Sequence, residues 1–216
     1  MNRNKFHYIS GRNSQNVSKS NIAYHEAGHA AAIYFNNKLH KLPPVFFQII
    51  LLNNNKEKEN LFLAKTIDGD SIANIRGGRL IQSFPPLDDM SDDYMLAFEA
   101  DITNILIGPL AEAKHIHECD NELFDKHLIN INDLNFYGGR LDLQLADEYL
   151  QSLYIDTREQ NAKLMQLFYS AFEFVENYRN WKAISQLARH IDESNKNIID
   201  YDEAVSILEN DRTTKR

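Results

Sequence analysis

The stretch AYHEAGHAA, residues 23–31, places His25, Glu26 and His29 inside a run that is otherwise mostly alanine. Residues four apart on a helix lie one turn above each other, about 40° apart around the axis. The two histidines can therefore bind one metal ion, while Glu26 can reach a neighbouring water without becoming a ligand. In the H-E-x-x-H pattern, zinc activates this water and the glutamate takes its proton. The stretch predicts a helical zinc site with Glu26 as general base.

The same residues have a simpler interpretation as ordinary polar groups on a helix. The five-residue pattern arises by chance in roughly one or two of a hundred chains of this composition, so the match alone is weak. The apolar neighbours favour the metal site, because burying two unpaired imidazoles and a carboxylate among them would be costly. Gly28 costs about 1 kcal/mol relative to alanine inside a helix, which indicates that another element packs closely there.

The region around this stretch predicts one helix followed by a small β element. The helix is expected to begin near Ser20 or Asn21, either of which can cap it, and to end near Asn37. The runs VFFQIILL (45–52) and LFLAKTI (61–67) are rich in β-forming residues and are separated by the polar sequence NNNKEKEN. They predict a hairpin with a charged tip.

The remainder of the chain is predicted to be helical, apart from residues 68–91, which are expected to be irregular and to form a functional loop. Further helices are expected at 92–107, 110–118, 142–154, 157–178, 181–192 and 201–209, with a short helix and a loop in 120–137. The fold class is therefore mainly α (α+β). We expect a helical domain with a small β-hairpin over residues 20–210, between polar tails at 1–19 and 211–216.

Composition narrows the class of protein further. The chain has 216 residues, 43% of them hydrophobic, which suits one folded domain. Its net charge of −8 argues against nucleic acids and anionic membranes as partners. The sequence shows neither a membrane span nor a secretory signal, and Cys119 is the single cysteine. These features predict a cytoplasmic protein without disulfides.

A catalytic zinc site needs a third protein ligand and an open fourth position, but no H-x-x-G-x-x-H pattern follows the first motif. Three stretches, in order, resemble a known family. IAYHEAGHAAAIYF resembles the zinc helix of the FtsH family, which are membrane-anchored AAA+ proteases. IGPLAEAKHI (107–116) is similar to the family's Gly-Arg-Ala-Ala-Glu-Glu helix, with Gly108, Ala111 and Glu112 retained. GGRLDLQLADEYL (138–150) is similar to a segment in which an aspartate, here Asp142, opens a helix.

The resemblance covers roughly residues 20–208 and implies a helical zinc-metallopeptidase domain with one Zn²⁺ per chain. It implies that Asp142 is the third zinc ligand, beside His25 and His29. Glu112 is expected to hydrogen-bond a zinc imidazole without binding the metal itself. The family's ATPase module and its transmembrane helices have no counterpart in this sequence, so we expect activity that is independent of ATP.

The residues outside the first motif also have interpretations that involve no metal ion. An aspartate just after Gly-Gly is a common helix N-cap, which would give Asp142 a structural role. Glu112 has an alternative as an exposed helical glutamate. The stretch HIHEC (115–119) suggests a second metal site, but histidines two apart on a helix point in nearly opposite directions and cannot chelate one ion.

Three functions fit these features. The leading one is a zinc endopeptidase whose substrates are proteins or peptides with a flexible segment, which could add as a strand to the edge of LFLAKTI. The alternative is a zinc-bound regulator or adaptor with little general turnover, although Glu26, which such a protein would not need, is present. A deuterolysin-like secreted protease is disfavoured by the missing signal and disulfides. The sequence leaves open whether the chain forms a homo-oligomer.

Overall fold

Helices dominate the part of the chain that the computed structural model describes, which comprises residues 18–51, 73–81 and 92–210. They are α1 (Lys19–Leu39), α2 (Asp92–Cys119), α3 (Arg140–Leu153), α4 (Thr157–Glu176), α5 (Tyr178–Glu193) and α6 (Tyr201–Glu209), with a 3-10 helix at Ile131–Phe136. The strands are β1 (Phe47–Leu51), β2 (Ala73–Gly77) and β3 (Ile198–Ile199), which form one antiparallel sheet in the order β2-β1-β3. The prediction of a mainly helical domain with a small β element is confirmed.

Helix α1 lies at the centre of the domain and is covered by protein on most of its circumference. Its alanines at 23, 27, 30, 31 and 32 are at most 1% exposed, and its neighbours include α2, α5, α6 and β2. Ser18 caps it by accepting a hydrogen bond from the backbone N–H of Ser20. The helix therefore begins slightly earlier than the sequence predicts, within the usual uncertainty of helix ends.

Helices α1 and α2 approach each other closely because small residues meet at their crossing. A Cβ atom added at Gly28 would lie 2.7 Å from Ala111 Cβ, 3.0 Å from the carbonyl oxygen of Ile107 and 3.1 Å from Gly108 Cα. Two of these three neighbours are backbone atoms, which cannot turn away as a flexible side chain could. The glycine of the HEAGH stretch is therefore required by packing.

We expect Gly28→Ala to destabilise the fold by about 1–2 kcal/mol, because overpacking outweighs the gain in helix propensity of about 1 kcal/mol. Urea unfolding monitored by circular dichroism measures this change. The double variant Gly28→Ala/Ala111→Gly lacks the contact with Ala111 Cβ. Compared with Ala111→Gly alone, it should lose less stability than Gly28→Ala loses relative to the wild type. A Gly28→Ala protein as stable as the wild type would contradict the close contact.

Helix α2 is one continuous helix, so the predicted break at Gly108-Pro109 is wrong. Pro109 removes the hydrogen bond to the carbonyl of Ile105, four residues earlier, and its ring crowds that carbonyl, which together typically cost about 3 kcal/mol inside a helix. The helix is buried over most of its length, from Ala97 to Ala113. This burial on both sides of Pro109 outweighs the local cost.

The sheet lies against α1, and β2 is the last strand at one end of the described sheet. Leu51 donates its N–H to Asn197 next to β3 at 2.8 Å, whereas Gly78 donates to Phe46 at 3.0 Å. Because backbone groups alternate in direction along a strand, odd-numbered residues of β1 face β3 and even-numbered residues face β2. With Ile49 opposite Ile75, the N–H and C=O of Ile75 point away from β1.

Strand β2 corrects the expectation that residues 68–91 are irregular, since 73–77 form a strand. The predicted strand at 61–67 and the tip of its hairpin lie outside the described residues, as do residues 1–17 and 211–216. The short helix and loop expected in 120–137 are a turn followed by the 3-10 helix, which begins with a capping box between Asn130 and Asp133. The boundaries of the predicted domain stay predictions.

Candidate metal centre

His25 and His29 on α1 and Asp142 in the first turn of α3 form a group that can hold a metal ion. One possible ligand atom from each lies within 4.8 Å of the others. Nε2 of His25 is 3.2 Å from Oδ2 of Asp142, and Nε2 of His29 is 3.4 Å from Oδ1. All three side chains are less than a fifth exposed. The structure thus brings two imidazoles and one carboxylate to a single point.

The opposite nitrogen of each imidazole is held by an acceptor on α2. Nδ1 of His25 donates to Oε2 of Glu112 at 3.0 Å, and Nδ1 of His29 donates to the backbone carbonyl of Asn104 at 3.0 Å. When the Nδ1 of an imidazole is held as the donor, Nε2 is the nitrogen that gives up its proton to bind a metal ion. Glu112 is buried and is not the exposed helical glutamate of the alternative interpretation.

Two glycines leave room for these imidazoles. A Cβ at Gly108 would lie 2.3 Å from Nε2 of His29, and a Cβ at Gly138 would lie 2.8 Å from the Glu112 carboxylate. Gly138 also has a φ of +70°, in the left-handed region that favours glycine. Gly139 is the N-cap of α3 and Asp142 lies three residues further on, so Asp142 is not the cap that its sequence position suggested.

The charges within the group reinforce one another. Burial alone would lower the pKa of His25, but hydrogen bonds and charges from Asp142 and Glu112 outweigh it and hold that pKa well above its usual value. Burial alone would raise the pKa of Asp142, but the nearby imidazoles hold it well below its usual value. Asp142 is therefore ionised at neutral pH, as a metal ligand has to be.

Glu26 is buried beside this group and has one oxygen without a partner. Burial raises the pKa of its carboxyl group, and a backbone hydrogen bond from Ile75 of β2 opposes that change. Its other oxygen, Oε2, has no hydrogen-bond partner among the described residues. A buried carboxylate oxygen left in this state is costly, which indicates that the site is built to receive a further polar group.

These residues fit a zinc ion. Two imidazole nitrogens and one carboxylate oxygen are ligands that zinc accepts, and three protein ligands leave the fourth position that a catalytic site keeps open. The unpartnered oxygen of Glu26 is an independent sign that the site receives a polar group. His25, His29 and Asp142 would hold the ion, with Glu26 outside the ligand set.

One stripe of α2 supports the whole centre. Asp101, Asn104, Gly108 and Glu112 follow one another at spacings of three or four residues and therefore share a face of the helix. Asn104 and Glu112 hold the two imidazoles, and Gly108 makes room for one of them. The contributions of Asn104, Asp101 and Ile75 were not predicted from the sequence. The signal that could have indicated Asp101 and Asn104 is their helical spacing with Glu112 in an otherwise apolar helix.

Asp101 links this stripe to the sheet. Its buried carboxylate accepts the backbone N–H groups of Leu80 and Ile81 at 2.9 and 3.0 Å, which anchors the chain just after β2. Burial raises the pKa of Asp101 to about 6, although these two hydrogen bonds and the charge of Arg79 act in the opposite direction. The folded state therefore binds a proton more tightly here than the unfolded chain does.

This raised pKa predicts a pH dependence of stability. The contribution of Asp101 is fully present below its unfolded pKa of about 4 and is lost as the pH rises through about 6. Asp101→Asn does not titrate, so the wild type should lose about 2 kcal/mol relative to this variant between about pH 4.5 and pH 7. Urea unfolding of both proteins at the two pH values measures the difference. A difference that does not change with pH would exclude the raised pKa.

The histidines of the HIHEC stretch do not join the centre. His115 stacks on Tyr24 and lies 3.2 Å from the hydroxyl of Ser20. His117 turns elsewhere and lies 3.1 Å from the hydroxyl of Tyr137. The two rings have different surroundings, as their spacing on the helix predicts.

No protein-family model matches the sequence, and no curated protein matches it. Within residues 18–51, 73–81 and 92–210, no helix combines the length and the apolar character that a membrane crossing requires. The resemblance to FtsH-type peptidases therefore remains a prediction.

Proposed function

We propose that the chain is a zinc-dependent endopeptidase with an FtsH-type peptidase domain, in which His25, His29 and Asp142 hold one zinc ion and Glu26 is the general base. The observation that carries the proposal is the convergence of two imidazole Nε2 atoms on one ionised carboxylate. Both Nδ1 atoms are held by acceptors, so both Nε2 atoms face this point. The H-E-x-x-H pattern supports the same assignment.

Zinc held by His25, His29 and Asp142 would supply Lewis acidity, which would lower the pKa of water and polarise a carbonyl group. The Glu26 carboxylate takes a proton from the attacking water and passes it to the leaving amine nitrogen. Burial suits Glu26 to both steps, because a raised pKa makes its carboxylate a stronger base. Glu112 and the Asn104 carbonyl keep the imidazoles oriented throughout.

The sheet edge supports an extended peptide as substrate. The outward N–H of Ile75 contacts Glu26, so the outer edge of β2 runs beside the general base. Among the described strands, β2 pairs only with β1, and no other described strand lies on its outer edge. An extended segment can add to such an edge through backbone hydrogen bonds. The substrates that fit are proteins with a flexible segment.

The test uses the purified full chain and measures bound metal together with hydrolysis of casein, a broad unfolded substrate. We expect about one zinc per chain and hydrolysis that stops after removal of the metal by a chelator and returns after zinc is added. A chain that binds no zinc would overturn the proposal. A chain that binds zinc but cleaves neither casein nor any protein in a cell extract would favour the zinc-bound regulator or adaptor.

A further inference from the structure

Three buried asparagines connect α1 and α2 beside His29. Asn36 donates its side-chain amide to Oδ1 of Asn104 at 3.1 Å, and Asn104 donates its own amide to Oδ1 of Asn37 at 3.2 Å. All three residues are at most 7% exposed. The backbone carbonyl of the same Asn104 accepts Nδ1–H of His29. One residue of α2 therefore holds α1 at two points, through its side chain and through its backbone.

This network is an expensive way to join two helices. Nδ2 of Asn37 has no hydrogen-bond partner among the described residues, and a buried donor in that state costs roughly 1–3 kcal/mol. Apolar side chains of similar size would join the helices without this cost. Buried polar groups provide direction, because a hydrogen bond requires a particular angle as well as a short distance, whereas apolar contacts are non-directional.

The His25–Glu112 hydrogen bond also joins α1 to α2, but it lies eight residues along α2 from Asn104. Near the centre the helices meet through Gly28, Gly108 and Ala111, whose small surfaces allow close approach but provide little to resist sliding. A shift of one residue along α2 is about 1.5 Å. Such a shift would break hydrogen bonds of 3.0–3.2 Å, and His29 would lose its acceptor.

We propose that Asn104 is a positioning residue of the metal centre. Its side chain, bound to Asn36 and Asn37, fixes the register of α2 against α1, and this register places the Asn104 carbonyl on Nδ1 of His29. The inference rests on the proposed function in taking His29 as a zinc ligand. Asn104 would contact neither the metal nor the substrate, and it would act by orienting the imidazole of His29.

The experiment compares Asn104→Ala and Asn36→Ala with a matched control, Thr103→Val. Thr103 is the neighbouring residue of α2, and its buried hydroxyl donates to the carbonyl of Glu99 in the same helix at 2.7 Å. The control therefore removes a buried hydrogen bond from the same helix and leaves the network intact. Asn36→Ala keeps Asn104 itself and carries the test if Asn104→Ala does not fold.

Two measurements are made on each full-length protein. The first is the solvent exchange of the Nδ1–H proton of His29 by ¹H–¹⁵N NMR, in the metal-free and the zinc-loaded protein, with Nδ1–H of His25 as internal reference. The second is zinc affinity by competition with a chelator. Both readouts are independent of peptide hydrolysis.

We expect the asparagine variants to speed exchange at His29, to leave His25 unchanged because Glu112 still holds it, and to weaken zinc binding about 10-fold. Thr103→Val should lower stability while leaving both readouts at their wild-type values. The double variant Asn36→Ala/Asn104→Ala should lose no more affinity than Asn104→Ala alone, because both changes act through one network.

The proposal is overturned if exchange at His29 and zinc affinity in the asparagine variants equal those of Thr103→Val. It is also overturned if exchange at His25 and His29 rises equally, which a general loosening of the fold would produce. If the wild type binds no zinc, the proposed function fails, while the exchange of the His29 Nδ1–H still decides whether Asn104 orients that ring.

Discussion

Glu26→Gln is expected to retain zinc and the fold while hydrolysing peptide bonds at least about 10²-fold more slowly, the low end of the effect of a positioned acid–base group. Glutamine has nearly the same shape as glutamate and keeps an oxygen to accept the backbone hydrogen bond from Ile75. It cannot take a proton from water. The variant therefore separates metal binding from proton transfer, and metal analysis with a casein assay measures both.

The matched control is Glu99→Gln, which makes the same chemical change on α2 at a glutamate that pairs with Lys163 at 2.7 Å. It should leave hydrolysis unchanged. Cleavage by Glu26→Gln at the wild-type rate would remove Glu26 from the mechanism. Loss of zinc from Glu26→Gln would instead show that this carboxylate helps to hold the metal.

His29→Ala is expected to weaken zinc binding by about 10³-fold. The binding free energy of zinc in protein sites is about 10–16 kcal/mol, so one of three protein ligands accounts for roughly 4 kcal/mol. Hydrolysis should fall with the metal content. Zinc titration and metal analysis of the purified variant measure the loss.

The control for this variant is His190→Ala, which removes a half-buried histidine of α5 that pairs with Glu203 of α6 at 2.8 Å. It should bind zinc as the wild type does. A His29→Ala protein that keeps wild-type zinc affinity would show that the ion is bound elsewhere, and the arrangement of His25 and Asp142 would then need another explanation.

The half of the centre that lies on α1 could be predicted because it depends on local geometry. Residues 25, 26 and 29 are related by the helical repeat alone, and any helix over this stretch places the two histidines on one face. Asp142 could not be found in this way. Its assignment depended on the family resemblance, and sequence position alone favoured a cap. The structure places it three residues inside α3, facing both imidazoles.

The features that sequence reasoning missed all depend on contacts between distant segments. Pro109 predicts the end of a helix because proline has no backbone N–H to donate. Helix α2 continues through it because residues before and after Pro109 are buried against other segments. Strand β2 lies in a segment that contains Gly77 and Gly78, both with positive φ, and its pairing with β1 overrides this turn-forming composition. Asn104 acts through its backbone carbonyl, which every residue possesses and no side-chain pattern reveals.

The contacts that orient the two imidazoles also determine the stage of synthesis and folding at which the metal centre can form. The partners in these hydrogen bonds are 87 residues apart for His25 and 75 residues apart for His29, and Asp142 lies further along the chain. Contacts of such separation form late, because the entropy of closing a long loop has to be overcome first. A ribosome-bound chain that stops before α3 contains the HEAGH stretch but lacks Asp142. Under the proposed function, peptidase activity has to wait for synthesis and folding of the segment that contains Asp142, which would protect the incomplete chain and its neighbours from premature cleavage.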